Sequence, residues 1–178
     1  MHDRIYIPEL VNAGIDSFKI EGRMKTALYV AAVARTYRRA IDDYFLSEET
    51  YRKNMDWYRE EISKCTYRQF TTGFYFGKPD ENTQIYDSNT YTSEYVYLGI
   101  IEDVDERGFA QIMQRNKFCQ GDEIELMKPN GENIPVTVSH IYTETGEEVQ
   151  SAPHPQQKLF LDLMQAAQKY DLLRVKTG

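Results

Sequence analysis

Ile15-Asp16-Ser17-Phe18-Lys19-Ile20-Glu21-Gly22 decides how this chain is read. The stretch alternates apolar and polar residues, and it sits between two helical signatures. Side chains alternate across a strand, so Phe18 and Ile20 are expected on one side and Ser17, Lys19 and Glu21 on the other. Upstream, Pro8 suits a first helical turn, Glu9 complements the positive end of the helix dipole, and Gly14 suits a left-handed C-terminal cap, which predicts a short helix over 7–13. Downstream, Thr26 is a fair N-cap for a long helix reaching about Phe45. The result is an α-β-α unit with tight connections.

A lone strand and helix cannot cover both faces of the strand. Such units are stable when stacked in a parallel sheet with helices around it. Residues 1–47 are therefore expected to be the last piece of a larger α/β domain, or to depend on a partner. In a barrel of parallel strands the polar side of the strand points inward near the C-terminal mouth, where catalytic groups gather. Lys19, Glu21 and Arg23 would then place two cations and a carboxylate together, able to hold an anion and shift proton affinities. The alternative is a structural ion pair closing the barrel.

In the long helix Val30, Val33, Tyr37, Ile41 and Tyr44 recur at spacings of three and four and predict one buried stripe. Arg35, Arg38, Arg39 and Asp42 are expected on other, solvated faces, in local ion pairs. Residues 48–64 read as another amphipathic helix, with Trp57 as a packing residue. Residues 48–93 form a helical and aromatic connector, whose rings Tyr67, Phe70, Phe74, Tyr75, Phe76, Tyr86 and Tyr91 surround Arg68. Stacking on RNA bases and packing over a barrel both explain such a composition.

From residue 94 short alternating runs separated by turn signals take over. Six strands are predicted, at Tyr95–Ile101, Phe109–Arg115, Glu123–Met127, Ile134–Tyr142, Lys158–Leu163 and Leu172–Lys176. A small antiparallel β-barrel over 94–178 follows, because closure removes exposed edges. The fold class is thus α+β.

Composition narrows the function. The 178 residues carry a formal net charge of −7. Residues 91–178 hold 8 Lys+Arg against 14 Asp+Glu, while residues 1–90 are nearly balanced. An acidic C-terminal half disfavours loose binding to nucleic-acid backbones. No apolar run is long enough for a membrane span and the start lacks a signal-peptide core, so a cytoplasmic address without membrane association is expected. Cys65 and Cys119 stand apart without metal-ligand spacing, so neither a metal site nor a disulfide is expected. His2, His140 and His154 are scattered, with no H-E-x-x-H and no Ser/His/Asp order. His140 reads as a packed or rim residue and His154, between two prolines, as a rigid turn residue.

The run from Ile15 to Lys25, together with Tyr29-Val30-Ala31 and Tyr37-Arg38-Arg39-Ala40-Ile41-Asp42, closely resembles the signature of the collagenase-like peptidase family U32. The likeness continues through Phe70–Pro79, through Lys117-Phe118-Cys119-Gln120-Gly121-Asp122-Glu123-Ile124-Glu125, and through Pro153-His154-Pro155. The resemblance implies a TIM-type barrel, a helical connector and a β-barrel like those of translation factors, with only the C-terminal portion present. It also implies either peptidase chemistry or RNA hydroxylation, including prephenate-dependent hydroxylation of the tRNA wobble uridine. Upstream cysteines, for an iron–sulfur cluster, belong to the full-length pattern and not to these residues. The candidate roles are catalytic for Lys19, Glu21 and Arg23 and substrate-binding for Arg68 and His154, the last at a position that the resemblance matches. The implied partners are a missing N-terminal barrel domain and a tRNA or protein substrate. A homo-oligomeric scaffold is a third reading, and the isolated chain is expected to be inactive.

Overall fold

The computed structural model describes residues 5–65, 77–78, 94–163 and 167–177. It divides into two compact units, Met1–Glu94 and Tyr95–Gly178.

In the first unit, α1 spans Ile7–Asn12, with Pro8 in its opening turn and Gly14 at φ +75° just past its end. Only a residue without Cβ takes that backbone conformation cheaply, so the helix stops there. Helix α2 spans Ala27–Leu46, and the Thr26 hydroxyl accepts a hydrogen bond from Tyr29 N at 3.2 Å. The single helix expected over 48–64 is two, α3 (Glu48–Lys53) and α4 (Met55–Ser63). Asn54 leaves helical geometry between them, and its Nδ2 donates to Asp43 Oδ2 at 2.8 Å.

A cluster of Ile5, Ile7, Ala40, Tyr51, Tyr58 and Ile62 forms this unit's core, with Phe18, Tyr37, Ile41 and Tyr44 packed against it. Two positions on α2 depart from expectation. Val30 is exposed, while Arg35 is buried and paired with Glu61 of α4. Glu61 is itself buried and also lies 2.9 Å from Lys64 Nζ. The guanidinium tolerates burial because a carboxylate 26 residues away meets it there. Arg38 and Arg39 do make the local pairs expected of them, with Asp42 and Asp43. Tyr58 donates to Asp43 at 2.6 Å; burial, then that bond, pushes its phenol pKa up.

Residues 15–22 form neither helix nor strand. Phe18 packs on the helical core, but Ile15 and Ile20 are 42% and 38% exposed, and Met24 is 91% exposed. The expected strand is absent for a physical reason: a strand exists by pairing its N–H and C=O groups with a neighbour. Among the described residues no strand is aligned with it.

The second unit is all antiparallel sheet. Its strands are β1 (Tyr95–Val104), β2 (Phe109–Gln114), β3 (Phe118–Cys119), β4 (Glu123–Met127), β5 (Asn133–Thr137), β6 (Ile141–Thr143), β7 (Ser151–Ala152), β8 (Lys158–Asp162) and β9 (Leu172–Lys176). Seven pair in the order β5-β4-β9-β1-β2-β8-β6, and β3 pairs with β7 as a separate ribbon. Leu98, Ile101, Ile112, Ile124, Leu126, Ile141, Leu159, Leu161 and Leu173 join with Phe118 and Ala152 of the ribbon in one core. The sheet therefore curls into a half-barrel whose ends, β5 and β6, share no ladder. The run expected as one strand over 134–142 is two, interrupted at 138–140. Gly99 sits where β1 changes register against β9, and a Cβ there would lie 2.7 Å from the Met113 carbonyl oxygen.

Candidate functional site

The 15–25 ribbon holds three of the five residues singled out from sequence. Lys19, Glu21 and Arg23 are all exposed. Glu21 Oε1 accepts from the Arg23 backbone N–H at 3.0 Å, and Gly22 O accepts from Lys25 N at 2.9 Å, which folds the end of the ribbon into a turn ahead of α2. A Cβ on Gly22 would come within 2.8 Å of Val30 Cγ2, so the exposed Val30 side chain would have to shift to admit one. Among the described residues neither Lys19 nor Arg23 forms an ion pair with Glu21. In open water these charges are screened and worth little to a ligand. Walls of low dielectric around them would make the same three groups an anion-binding, proton-moving cluster.

His154 belongs to the other unit. It lies exposed between Pro153 and Pro155 in the β7–β8 connection, where its carbonyl accepts from Gln157 N at 3.3 Å. Arg68 lies outside the described residues, as do the connector rings and His2.

Sequence reasoning missed the partner of His140. Its Nδ1 lies 2.7 Å from Glu148 Oε1, the Glu148 carboxylate also accepts from Gln120 Nε2 at 2.9 Å, and the ring stacks beside Tyr142. The bond to His140, then that from Gln120, holds the Glu148 carboxyl below the usual carboxylate range. The β6–β7 turn that folds Glu148 back is readable at Thr145-Gly146-Glu147, but which carboxylate it delivers is not.

The described residues do not fit an iron–sulfur cluster. Cys65 is buried in the helical unit with its Sγ on Ile62 O, and Cys119 belongs to the sheet unit. Among the described residues no group of three or more His, Cys, Asp or Glu could hold a metal ion. No helix among them is long and apolar enough to cross a membrane.

Family models match both units: residues 4–85 match peptidase family U32, and residues 93–174 match the peptidase family U32 C-terminal domain. The chain belongs to peptidase family U32. Among U32 relatives, the tRNA hydroxylation protein P1 of Bacillus subtilis (strain 168) is 38% identical over 152 residues, which cover 85% of this chain and 36% of that protein. The tRNA hydroxylation protein P of Escherichia coli (strain K12) is 31% identical over 149 residues, covering 83% and 32%. A solved C-terminal domain of a Geobacillus thermoleovorans U32 peptidase is 31% identical and covers 45% of this chain and 99% of that domain, with a TM-score of 0.42. The chain spans about a third of the length of these two curated relatives.

Proposed function

We propose that this chain supplies the C-terminal part of a U32 protein that hydroxylates tRNA. In this reading the 15–21 ribbon completes a TIM-type barrel with a domain beyond these residues. Lys19, Glu21 and Arg23 line the mouth of that barrel as anion-binding and proton-moving groups. The sheet unit, with His154 and the connector residue Arg68, orients the macromolecular substrate, and the chain is inactive by itself. Any iron–sulfur cluster is held by cysteines of that further domain.

The observation that carries this reading is the ribbon. A segment with strand-like alternation leaves Ile15, Ile20 and Met24 open to water, although burying such side chains stabilises a fold by about 1.5–3 kcal/mol each. Exposed apolar groups on an unpaired edge fit a surface that another sheet covers. The relatives' names supply the chemistry, and their greater length supplies room for the rest of the barrel.

The test is a chimera in which this chain replaces the matching third of the Bacillus subtilis relative, in a strain lacking that protein. Mass spectrometry of tRNA nucleosides should find the hydroxylated uridine restored. Lys19→Ala and Glu21→Gln should each abolish it at unchanged protein level. Restoration undiminished by both variants would reject the roles of these residues, and cleavage of a collagen peptide without tRNA hydroxylation would favour the peptidase reading.

A further inference from the structure

In the acidic second unit, two adjoining segments carry no carboxylate at all. Residues 113–121 and 149–161 contain Arg115, Lys117, Lys158 and His154 but neither Asp nor Glu. The fold brings them side by side. Phe118 of β3 pairs with Ala152 of β7, which sets Lys117 beside Pro153 and His154. Gln114 N donates to Gln157 O at 3.1 Å and Gln156 N to Gln114 O at 2.9 Å, while Met113 is opposite Lys158, so Lys158 lies two positions along the pairing from Arg115. The buried Gln114 side chain ties the segments again, donating to Asn116 O and Ala152 O.

The other cations of this unit are largely committed. Arg174 and Lys128 are buried against Glu125 and Asp171, and Arg107 pairs with Asp105. Among the described residues Arg115, Lys117 and Lys158 are exposed and make no ion pair. Arg115 lies close enough to Tyr97 to oppose the rise that burial gives its phenol pKa, and the neighbouring Asn116 Nδ2 donates to Tyr97 O at 2.8 Å. Pro153, Pro155 and Gln156 at φ +64° make the backbone beneath them stiff, so little ordering is required on binding.

We propose that this rim, formed by Arg115, Lys117, His154 and Lys158, is where the sheet unit contacts the phosphate backbone of tRNA. The assignment rests on the tRNA reading of the chain. Charge placement favours it: the rest of the unit repels phosphate, so a polyanion can approach only where carboxylates are missing. Contacts of this kind position a substrate without reading its bases, as an orienting module requires.

The experiment measures binding of fluorescently labelled, unfractionated tRNA to the full chain between about 50 and about 200 mM salt. The triple variant Arg115→Ala/Lys117→Ala/Lys158→Ala should weaken binding at least about tenfold at the lower salt and reduce the slope of log K against log salt by about 2 to 3. Lys169→Ala/Lys176→Ala, which removes two cations from the same unit, should leave the slope nearly as in the parent. A triple variant that binds like the parent, or a control pair that loses as much, would overturn the proposal. If that triple variant also supports hydroxylation in the chimera, the rim falls while the tRNA reading stands; a parent chain that binds no tRNA would count against both. Polyglutamate that competes as well as tRNA, through the same three residues, would assign the rim to an acidic protein and overturn the RNA assignment.

Discussion

Arg174 of β9 is fully buried and its Nε donates to Glu125 Oε1 of β4 at 2.5 Å, joining two residues 49 apart in sequence. The two sides of this pair differ. The Glu125 side chain keeps 22% exposure, whereas the guanidinium keeps none and lies 5.1 Å over the Tyr95 ring. Glu125→Ala takes the carboxylate from a cation that cannot reach water, and should cost the sheet unit about 2 to 3 kcal/mol. Arg174→Met should cost less, because the methionine fills the space and Glu125 can be solvated. Urea denaturation of both variants checks the order; the reverse order would contradict it.

Gly99→Ala should destabilise the same unit by about 1 to 3 kcal/mol. The new methyl would meet the Met113 carbonyl oxygen at 2.7 Å, and that oxygen is backbone of the neighbouring strand, which cannot rotate away. Thermal unfolding of the variant checks this, and an unchanged midpoint would mean that the β1 register shift absorbs the methyl.

A pH dependence follows from the β1–β2 turn. Asp105 Oδ1 accepts from Phe109 N and Arg107 N, both at 2.9 Å, and the carboxylate also pairs with the Arg107 guanidinium. The backbone bond from Phe109, assisted by Arg107, lowers its pKa. A depressed carboxylate stabilises the fold above its unfolded pKa and loses that stabilisation as pH falls through the folded value. Asp105→Asn should therefore lower the melting temperature near neutral pH, and the gap from the parent should close in acid. A gap that stayed constant would show that the charge contributes nothing.

Much of the architecture was legible in local signals. Pro8, Gly14 and Thr26 mark the ends of α1 and the start of α2, because caps are decided by the residue itself. The strands over 123–127 and 172–176 fall at the expected residues, since each alternates between turn signals. What was not legible depends on distant partners. Arg35 reads as a solvated cation until Glu61 arrives to bury it, and β3 and β7, two residues each, exist only by pairing with each other. The candidate site divides in the same way. The turn residues around His154 are visible in the prolines, whereas its proximity to Lys117 comes from the Phe118–Ala152 pairing.

Glu61→Ala should cost the helical unit about 3 kcal/mol by taking a carboxylate from buried Arg35, and Arg35→Met/Glu61→Leu should recover most of that loss. Helical circular dichroism during urea unfolding reads both. A double variant no better than the single would place the pair's value in attraction rather than in avoided burial of charge.

The claim beneath the proposed function is that residues 15–20 become a strand when a neighbouring sheet is present. Amide hydrogen exchange of Ile15 to Ile20, in this chain alone and within the chimera, tests it most directly. Rapid exchange alone and strong protection in the chimera is the expected result. Equal exchange in both would contradict it and leave Lys19 and Glu21 as ordinary surface charges.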